Sequence, residues 1–256
     1  MKKIIILYNF TDYMAQPWLD DGYEVWCFDG QHKSGITRDG NHIKVGMWFD
    51  AYTTGQHVKD IMNMVGKGVE LVLGFPECTD LANSGSRHFE RKLRENPACQ
   101  AEATELARMV MYLGQSLNVP WALENPVGLL NTIWRKPNFY FHPYEYGCYL
   151  PEDDVHPDFP DYILPRDAYT KKTGIFSGNG FIEPVRRPIK RELVNRDSKC
   201  AKRSDNKDAA GYSAQYERLG GNSSKTKLIR SATPRGFSLS VFASNARRGS
   251  SRLIVP

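Results

Sequence analysis

A chain of 256 residues, 41% hydrophobic and 25% charged, is long enough for one sizeable domain or a domain with a small lobe, and has an ordinary globular balance. Five cysteines, at 27, 78, 99, 148 and 200, include no CxxC pair; this argues against a disulfide framework or a zinc module and suits a reducing, intracellular compartment. The net charge of +5 is compatible with a polyanionic partner and decides nothing alone.

Met1-Lys2-Lys3 precedes an apolar run that stops at Tyr8-Asn9, too short for a signal peptide. Lys3 to Tyr8 therefore reads as a buried first strand, and no stretch is long enough to span a bilayer. Ala15 to Asp21 suits a short helix stopped by Gly22. Tyr23 to Phe28 is a second strand ending at Asp29. The glycine-spotted segment from Gly30 to Asn41 reads as loop, and His42 to Trp48 as a third strand weakened by Gly46. Val58, Ile61, Met62 and Val65 recur with helical spacing ahead of Gly66 and Gly68. Val69 to Leu73 is a strand stopping at Gly74. Pro97 to Asn118 is the strongest helix, with Asn96 as N-cap and Leu106, Val110, Leu113 and Leu117 as its apolar stripe. Val119 to Leu123 is the strand that follows.

Alternating strands and helices predict an α/β fold, a doubly wound and mostly parallel sheet covered on both faces. Ligands then bind beyond the carboxyl ends of the strands. Pro76-Glu77-Cys78 falls just past one such end and Glu124-Asn125-Pro126 just past the next; if those strands are neighbours, Cys78 and Glu124 face one cleft. A cysteine acts as nucleophile only as thiolate, which needs an electropositive, accessible setting. Arg87, His88, Arg91, Lys92 and Arg94 follow Cys78 closely, whereas Cys27 and Cys99 read as small core hydrophobes. Glu124 follows Trp121-Ala122-Leu123, and partial desolvation there favours a protonated carboxyl able to donate to a ring nitrogen; a helix cap or surface ion pair fits the same spacing.

Beyond Pro151 the composition turns to proline and acid. Nine lysines and arginines against three acids then lie between Arg186 and Lys207, an excess larger than the whole net charge. That run reads equally as a solvated face or as a phosphate-contacting surface. The expected division is an α/β core over 1–150, a small irregular basic lobe over 151–224, a helix over 225–246 opened by Thr233-Pro234, and a tail over 247–256.

Gly74-Phe75-Pro76-Glu77-Cys78-Thr79 and Leu123-Glu124-Asn125-Pro126 resemble the nucleophile and glutamate motifs of the DNA cytosine-5 methyltransferases, most closely the compact forms common in bacteriophages. Trp134-Arg135-Lys136-Pro137, Phe141-His142-Pro143, Tyr146-Gly147, Lys171-Lys172-Thr173 and Arg230-Ser231-Ala232-Thr233-Pro234-Arg235-Gly236-Phe237 follow in the family's order. The resemblance implies a Rossmann-like S-adenosylmethionine-dependent fold and a duplex DNA partner. It implies that Cys78 adds to C6 of a flipped cytosine while Glu124 holds N3, with Asn125 and Pro126 shaping the pocket. Lys171 or Lys172 would contact cytosine O2 or a phosphate. Phe10, Thr11, Asp12, Asp29, Asp50, Pro76, Ser231 and Thr233 would line the cofactor. Ser84, Arg87, Arg91, Lys171, Arg186, Arg187, Lys190 and Arg191 would meet DNA. The setting implied is intracellular, with viral DNA protected from restriction. Two departures stand out: Asn9-Phe10-Thr11-Asp12 replaces the family's glycine-rich loop, and Glu77 puts a negative charge beside the nucleophile. The alternatives are a methyltransferase-like protein that binds DNA or a protein without turnover, and a C5-modifying enzyme for another pyrimidine substrate.

Overall fold

The computed structural model describes residues 1–191, 218–219 and 223–246. They divide into two compact units, Met1–Tyr140 with Thr173–Glu183, and Phe141–Lys172 with the chain from Pro184 onward. The division expected at residue 150 falls instead at Tyr140, and Thr173–Glu183, expected in the lobe, belong to the first unit. Most of the basic run, Cys200, the expected lobe from 192 to 217 and the tail from 247 lie outside the described residues.

Among the described residues one seven-stranded sheet carries the fold. Its strands are β1 (Lys3–Leu7), β2 (Glu24–Asp39), β3 (His42–Gly46), β4 (Val69–Gly74), β5 (Trp121–Pro126), β6 (Phe139–Phe141) and β7 (Thr173–Gly178), in the order β3-β2-β1-β4-β5-β7-β6. β1 pairs in parallel with both β2 and β4, and β4 pairs in parallel with β5. β7 lies antiparallel to β5. This is the expected α/β architecture with a mostly parallel sheet. The order reverses at β1, so the carboxyl ends of β1 and β4 flank the crevice where such sheets hold ligands.

The helices α1 (Gln16–Asp20), α2 (Thr54–Val65), α3 (Phe89–Glu95), α4 (Cys99–Leu117) and α5 (Leu130–Ile133) connect these strands. Strand alternation puts Ile5, Leu7, Trp26, Phe28, Ile43, Val45 and Val72 into one core with Val58, Ile61 and Val65 of α2 and Ala107, Val110 and Leu113 of α4. Removing side chains of this size from water contributes about 1.5–3 kcal/mol each before the entropy of ordering is subtracted. The stripe of α4 differs from the expected one: Ala107, Val110 and Gly114 are buried, while Leu106 and Leu117 are only half-buried. Asn96 and Pro97 precede the helix, and the Asn96 side chain accepts from the Ala98 N–H at 2.9 Å.

The segment read as loop from Gly30 to Asn41 is extended strand. Val25 to Asp29 run alongside His42 to Gly46, and Ile36, Thr37, Arg38 and Asp39 then face Val45, Lys44, Ile43 and His42 in the opposite sense. The chain thus crosses the end of β3 and returns along its outer edge, turning at Gly40. Gly46 serves that crossing: a Cβ there would sit 2.2 Å from the Lys33 carbonyl oxygen. The glycine that weakened the strand in the sequence is what lets the backbone pass over it.

In the second unit, α6 (Ser224–Ser231) starts at an N-cap formed by Ser223, whose side chain accepts from the Thr226 N–H, and α7 (Arg235–Asn245) matches the helix expected after Thr233-Pro234. Phe141 stacks on Phe237 at 4.1 Å, with Tyr146 against both. Both carboxylate oxygens of buried Asp154 accept from Arg235, at 2.6 and 2.7 Å, and Asp167 accepts from the Gly236 N–H at 2.9 Å.

Burial raises the Asp167 carboxyl to about 6 from an ordinary 3.8. A carboxyl whose pKa rises on folding stabilises below its unfolded value and loses that contribution as pH climbs through its folded value. Asp167→Asn keeps an acceptor for Gly236. It should raise the thermal midpoint at pH 8 and leave it unchanged near pH 4, read by differential scanning calorimetry. His156 acts in the opposite sense: burial, with Arg235 adding, holds it at about 4, so its contribution is present above 6.5 and lost as pH falls towards 4.

Candidate active site

Parallel pairing of β4 with β5 makes neighbours of the two strands that carry the distinctive tripeptides. Gly74 pairs with Leu123, the residue before Glu124, and Cys78 lies in the loop four residues beyond Gly74. One expectation needs correction: Glu124, Asn125 and Pro126 do not follow the strand but belong to it. Beyond Leu123, β5 continues by pairing with β7 alone, Glu124 with Ile175 and Asn125 with Gly174. Glu124 therefore stands on rigid backbone where β4 has already ended, which leaves that side of β5 to the Cys78 loop.

The loop is fixed to β5 by a set of backbone bonds. Leu81 and Ala82 N–H groups donate back to the Cys78 carbonyl, at 3.0 and 2.8 Å. Asn83 N–H donates to Val127 O at 3.1 Å, and Leu129 N–H to Leu81 O at 2.8 Å, around a bridge between Ala82 and Gly128. The bridge requires glycine, since a Cβ on Gly128 would lie 2.0 Å from the Leu81 carbonyl oxygen. Neither Gly128 nor this bridge was singled out from the sequence; the Gly-Leu-Leu after Glu124-Asn125-Pro126-Val127 is the only signal. Gly128→Ala should destabilise the protein by about 1–3 kcal/mol, lowering the thermal midpoint by several degrees. It should also separate the Cys78 loop from β5.

Cys78 is half-buried, and Cys27 and Cys99 are buried as expected. Burial pushes the Cys27 thiol up to about 12, which removes it as a nucleophile candidate. Of the five basic residues behind Cys78, only Lys92 reaches this loop, bonding Thr79 O at 3.1 Å and Asp80 at 2.5 Å. Arg91 and Arg94 pair instead with Glu95 and Glu90 along α3, and Arg87 donates to His88. Lys92 is thus tied directly to this loop by its contacts with Thr79 and Asp80. The Glu77 carboxylate accepts from the Thr79 hydroxyl. Pro76 is buried; Ser84, Arg87 and Arg91 are exposed.

Asn125 is fully buried, and neither its carboxamide oxygen nor its nitrogen has a hydrogen-bond partner among the described residues. Native proteins rarely leave such groups unpaired, and the exceptions call for an explanation.

At the carboxyl ends of β1 to β3 the loop Tyr8–Asp12 turns without glycine: Tyr8 and Asp12 adopt φ of 58° and 61°. Phe10 is exposed and lies against His32, the two rings tilted and 5.8 Å apart. Asp29 ends the inner run of β2 and accepts from the Gln31 N–H at 2.8 Å. Trp48 is 76% exposed, its indole against Gly30 beside Asp29; sequence reading passed over it. Half-buried Thr11 lies in the same loop. A carboxylate with exposed aromatic faces suits an adenosine, so Phe10, Asp29 and Trp48 fit the expected cofactor. Asp12 does not, because its carboxylate is held by Lys44 and faces His42 at 3.4 Å. Asp50 is turned to its own chain, accepting from the Tyr52 N–H at 2.9 Å.

The remaining candidates belong to the second unit. The Lys171 ammonium bonds Arg230 O at 2.9 Å, satisfying a carbonyl in the last turn of α6, while Lys172 is exposed. Ser231 is exposed, its hydroxyl donating to Leu228 O at 2.9 Å, and Thr233 is buried. Arg186 pairs with Glu145 at 3.3 Å, Arg187 lies over Tyr149, Arg191 lies over Tyr144, and Lys190 is exposed. Burial lowers the pKa of His142; the Glu145 carboxylate opposes this, and Lys172, Arg191 and Arg186 add to the lowering.

The chain matches no protein-family model and none of the curated proteins compared with it. Among the described residues no helix is long and apolar enough to cross a membrane.

Proposed function

We propose that the chain is a DNA cytosine-5 methyltransferase with a Rossmann-like methyltransferase core, and that Cys78 and Glu124 act on one cytosine ring. The observation that carries this reading is the parallel pairing of β4 with β5, with the Cys78 loop bonded to the chain just after Glu124. Both groups thereby lie beyond the end of β4, next to the reversal of strand order at β1. An α/β sheet uses this position for ligands.

In the reaction the Cys78 thiolate adds to C6 of a flipped cytosine, forming a C–S bond and moving the ring's electron pair towards C5. Glu124 holds N3 through a hydrogen bond that strengthens as charge gathers there. S-adenosylmethionine supplies the electrophilic methyl group that C5 accepts. Loss of the C5 proton to a solvent base then returns the electron pair, breaks the C–S bond and restores Cys78. Phe10, Asp29 and Trp48 would hold the cofactor's adenosine, and Lys92 would offset negative charge in the loop. Exposed Lys172, Arg186, Lys190 and Arg191 supply phosphate contacts.

A second reading, a methyltransferase-like protein that grips DNA without turnover, draws on the engagement of Asp12 by Lys44 and on the absence of glycines in the β1 loop. Incubation with methyl-labelled S-adenosylmethionine and cytosine-containing duplex separates the two. Label at cytosine C5, reduced at least about a hundredfold by Glu124→Gln, is expected if Glu124 supplies several kcal/mol to the barrier. Binding without label would favour the second reading.

A further inference from the structure

Asp12, Cys27 and His42 come from three separate segments and bring a carboxylate oxygen, a thiol sulfur and an imidazole nitrogen within 4.8 Å of one another. Strand alternation turns Cys27, His42 and Lys44 to the face of the sheet opposite Trp26, Phe28, Ile43 and Val45, and the loop after β1 lays Asp12 over them. We propose that these three side chains bind a zinc ion, which ties the β1 loop to β2 and β3. This inference does not depend on the methyltransferase reading.

The hydrogen bonding of the cluster is unresolved by protein groups alone. His42 Nε2 lies 3.5 Å from Cys27 Sγ and 3.4 Å from Asp12 Oδ1. One ring nitrogen can accept from the thiol or donate to the carboxylate, but not both. Asp12 Oδ1 is shut off from solvent and is faced at 3.4 Å by the same His42 nitrogen that faces the thiol. A single cation between the three satisfies all of them, with the thiol proton released to solvent.

The separations suit zinc. Bond lengths of about 2.3 Å to sulfur and about 2.0–2.2 Å to nitrogen and oxygen, at tetrahedral angles, give edges of about 3.5 Å for S···N and 3.3–3.4 Å for N···O. Both observed edges have these lengths. The sulfur-to-oxygen edge, at most 4.8 Å, closes with a shift of about 1 Å or less in the Asp12 carboxylate. Outer partners are also in place: buried Asn9 donates its amide N–H to Cys27 Sγ at 3.2 Å, and Lys44 holds the other oxygen of Asp12. A sulfur–nitrogen–oxygen set selects zinc over magnesium or calcium, and solvent would supply the fourth ligand. Asp12 and Lys44 side chains, 28% and 34% exposed, leave an approach path.

The test uses the full chain, stripped with chelator and titrated with zinc by calorimetry and with cobalt(II) by absorption. Expected is one equivalent bound and a thiolate-to-cobalt charge-transfer band. Cys27→Ser should abolish the band, and Cys27→Ser and His42→Gln should each weaken binding at least tenfold. Single serine substitutions at the other four cysteines should leave the band in place. A band that survives Cys27→Ser, or a wild-type chain that binds no equivalent, would overturn the proposal. X-ray absorption on the zinc-loaded wild type reads the ligands directly even where a variant fails to fold: one sulfur with nitrogen and oxygen supports the site, and none or two contradicts it.

Discussion

Cys78→Ala is expected to reduce methyl transfer to DNA by at least about a thousandfold, some 4 kcal/mol of barrier at 1.36 kcal/mol per factor of ten. C5 of cytosine is a poor nucleophile until a group adds at C6, so removing that group removes the pathway rather than slowing one step. DNA binding should be nearly unchanged, because the proposed phosphate contacts would be independent of the thiol. A protein that keeps its DNA affinity while losing label transfer is the expected result, measured by filter binding and methyl incorporation on the same preparation. Equal activity in wild type and variant would show that the thiol takes no part. Cys99→Ala serves as comparison, since that sulfur is buried in α4 and belongs to neither proposed site.

Asn125→Val should raise stability and lower activity together. The buried carboxamide has two polar atoms without partners, and each such atom costs about 1–3 kcal/mol relative to an apolar replacement. Valine is apolar, roughly one methylene larger, and suits a strand. The thermal midpoint should therefore rise by several degrees, since 1 kcal/mol shifts a domain of this size by about 2–4 °C. On the proposed function, ligand binding completes the carboxamide's hydrogen bonds, so kcat/KM should fall by about 10²-fold, the loss expected when a buried group that orders a reacting site is removed. A lower midpoint with full activity would mean that the group serves packing alone.

What could be read ahead of the structure follows from how local each signal was. β4, α2 and α7 are marked by apolar patterning and by glycine or proline at their ends, β1 by an apolar run that stops at Tyr8-Asn9, and all lie within a few residues of where the pattern puts them. The nearness of the Cys78 loop to the strand bearing Glu124 was legible because a parallel sheet collects its loops at one edge. The return strand from Gly35 to Asp39 was not, since an exposed edge strand need not alternate apolar and polar residues; the Asp39-Gly40 turn was its one local sign. β7 was hidden because Lys171-Lys172-Thr173 reads as a basic motif, although Thr173 opens a strand. The short, polar α6 has mainly its Ser223 cap to announce it. Within the site, Gly128 and Lys92 act through contacts made only in three dimensions. The Asp12–Cys27–His42 cluster likewise has no spacing motif, which is why the cysteine count argued against a zinc module.

The most direct measurement of the central claim is adduct formation with a duplex containing 5-fluorocytosine in the presence of S-adenosylmethionine. Fluorine at C5 cannot leave as a proton does, so the C–S bond formed at C6 persists and the complex survives denaturing electrophoresis. A single adduct whose tryptic mass maps to the peptide bearing Cys78, absent in Cys78→Ala, is expected. No adduct from folded protein that binds the duplex, or an adduct mapped to another cysteine, would contradict the assignment.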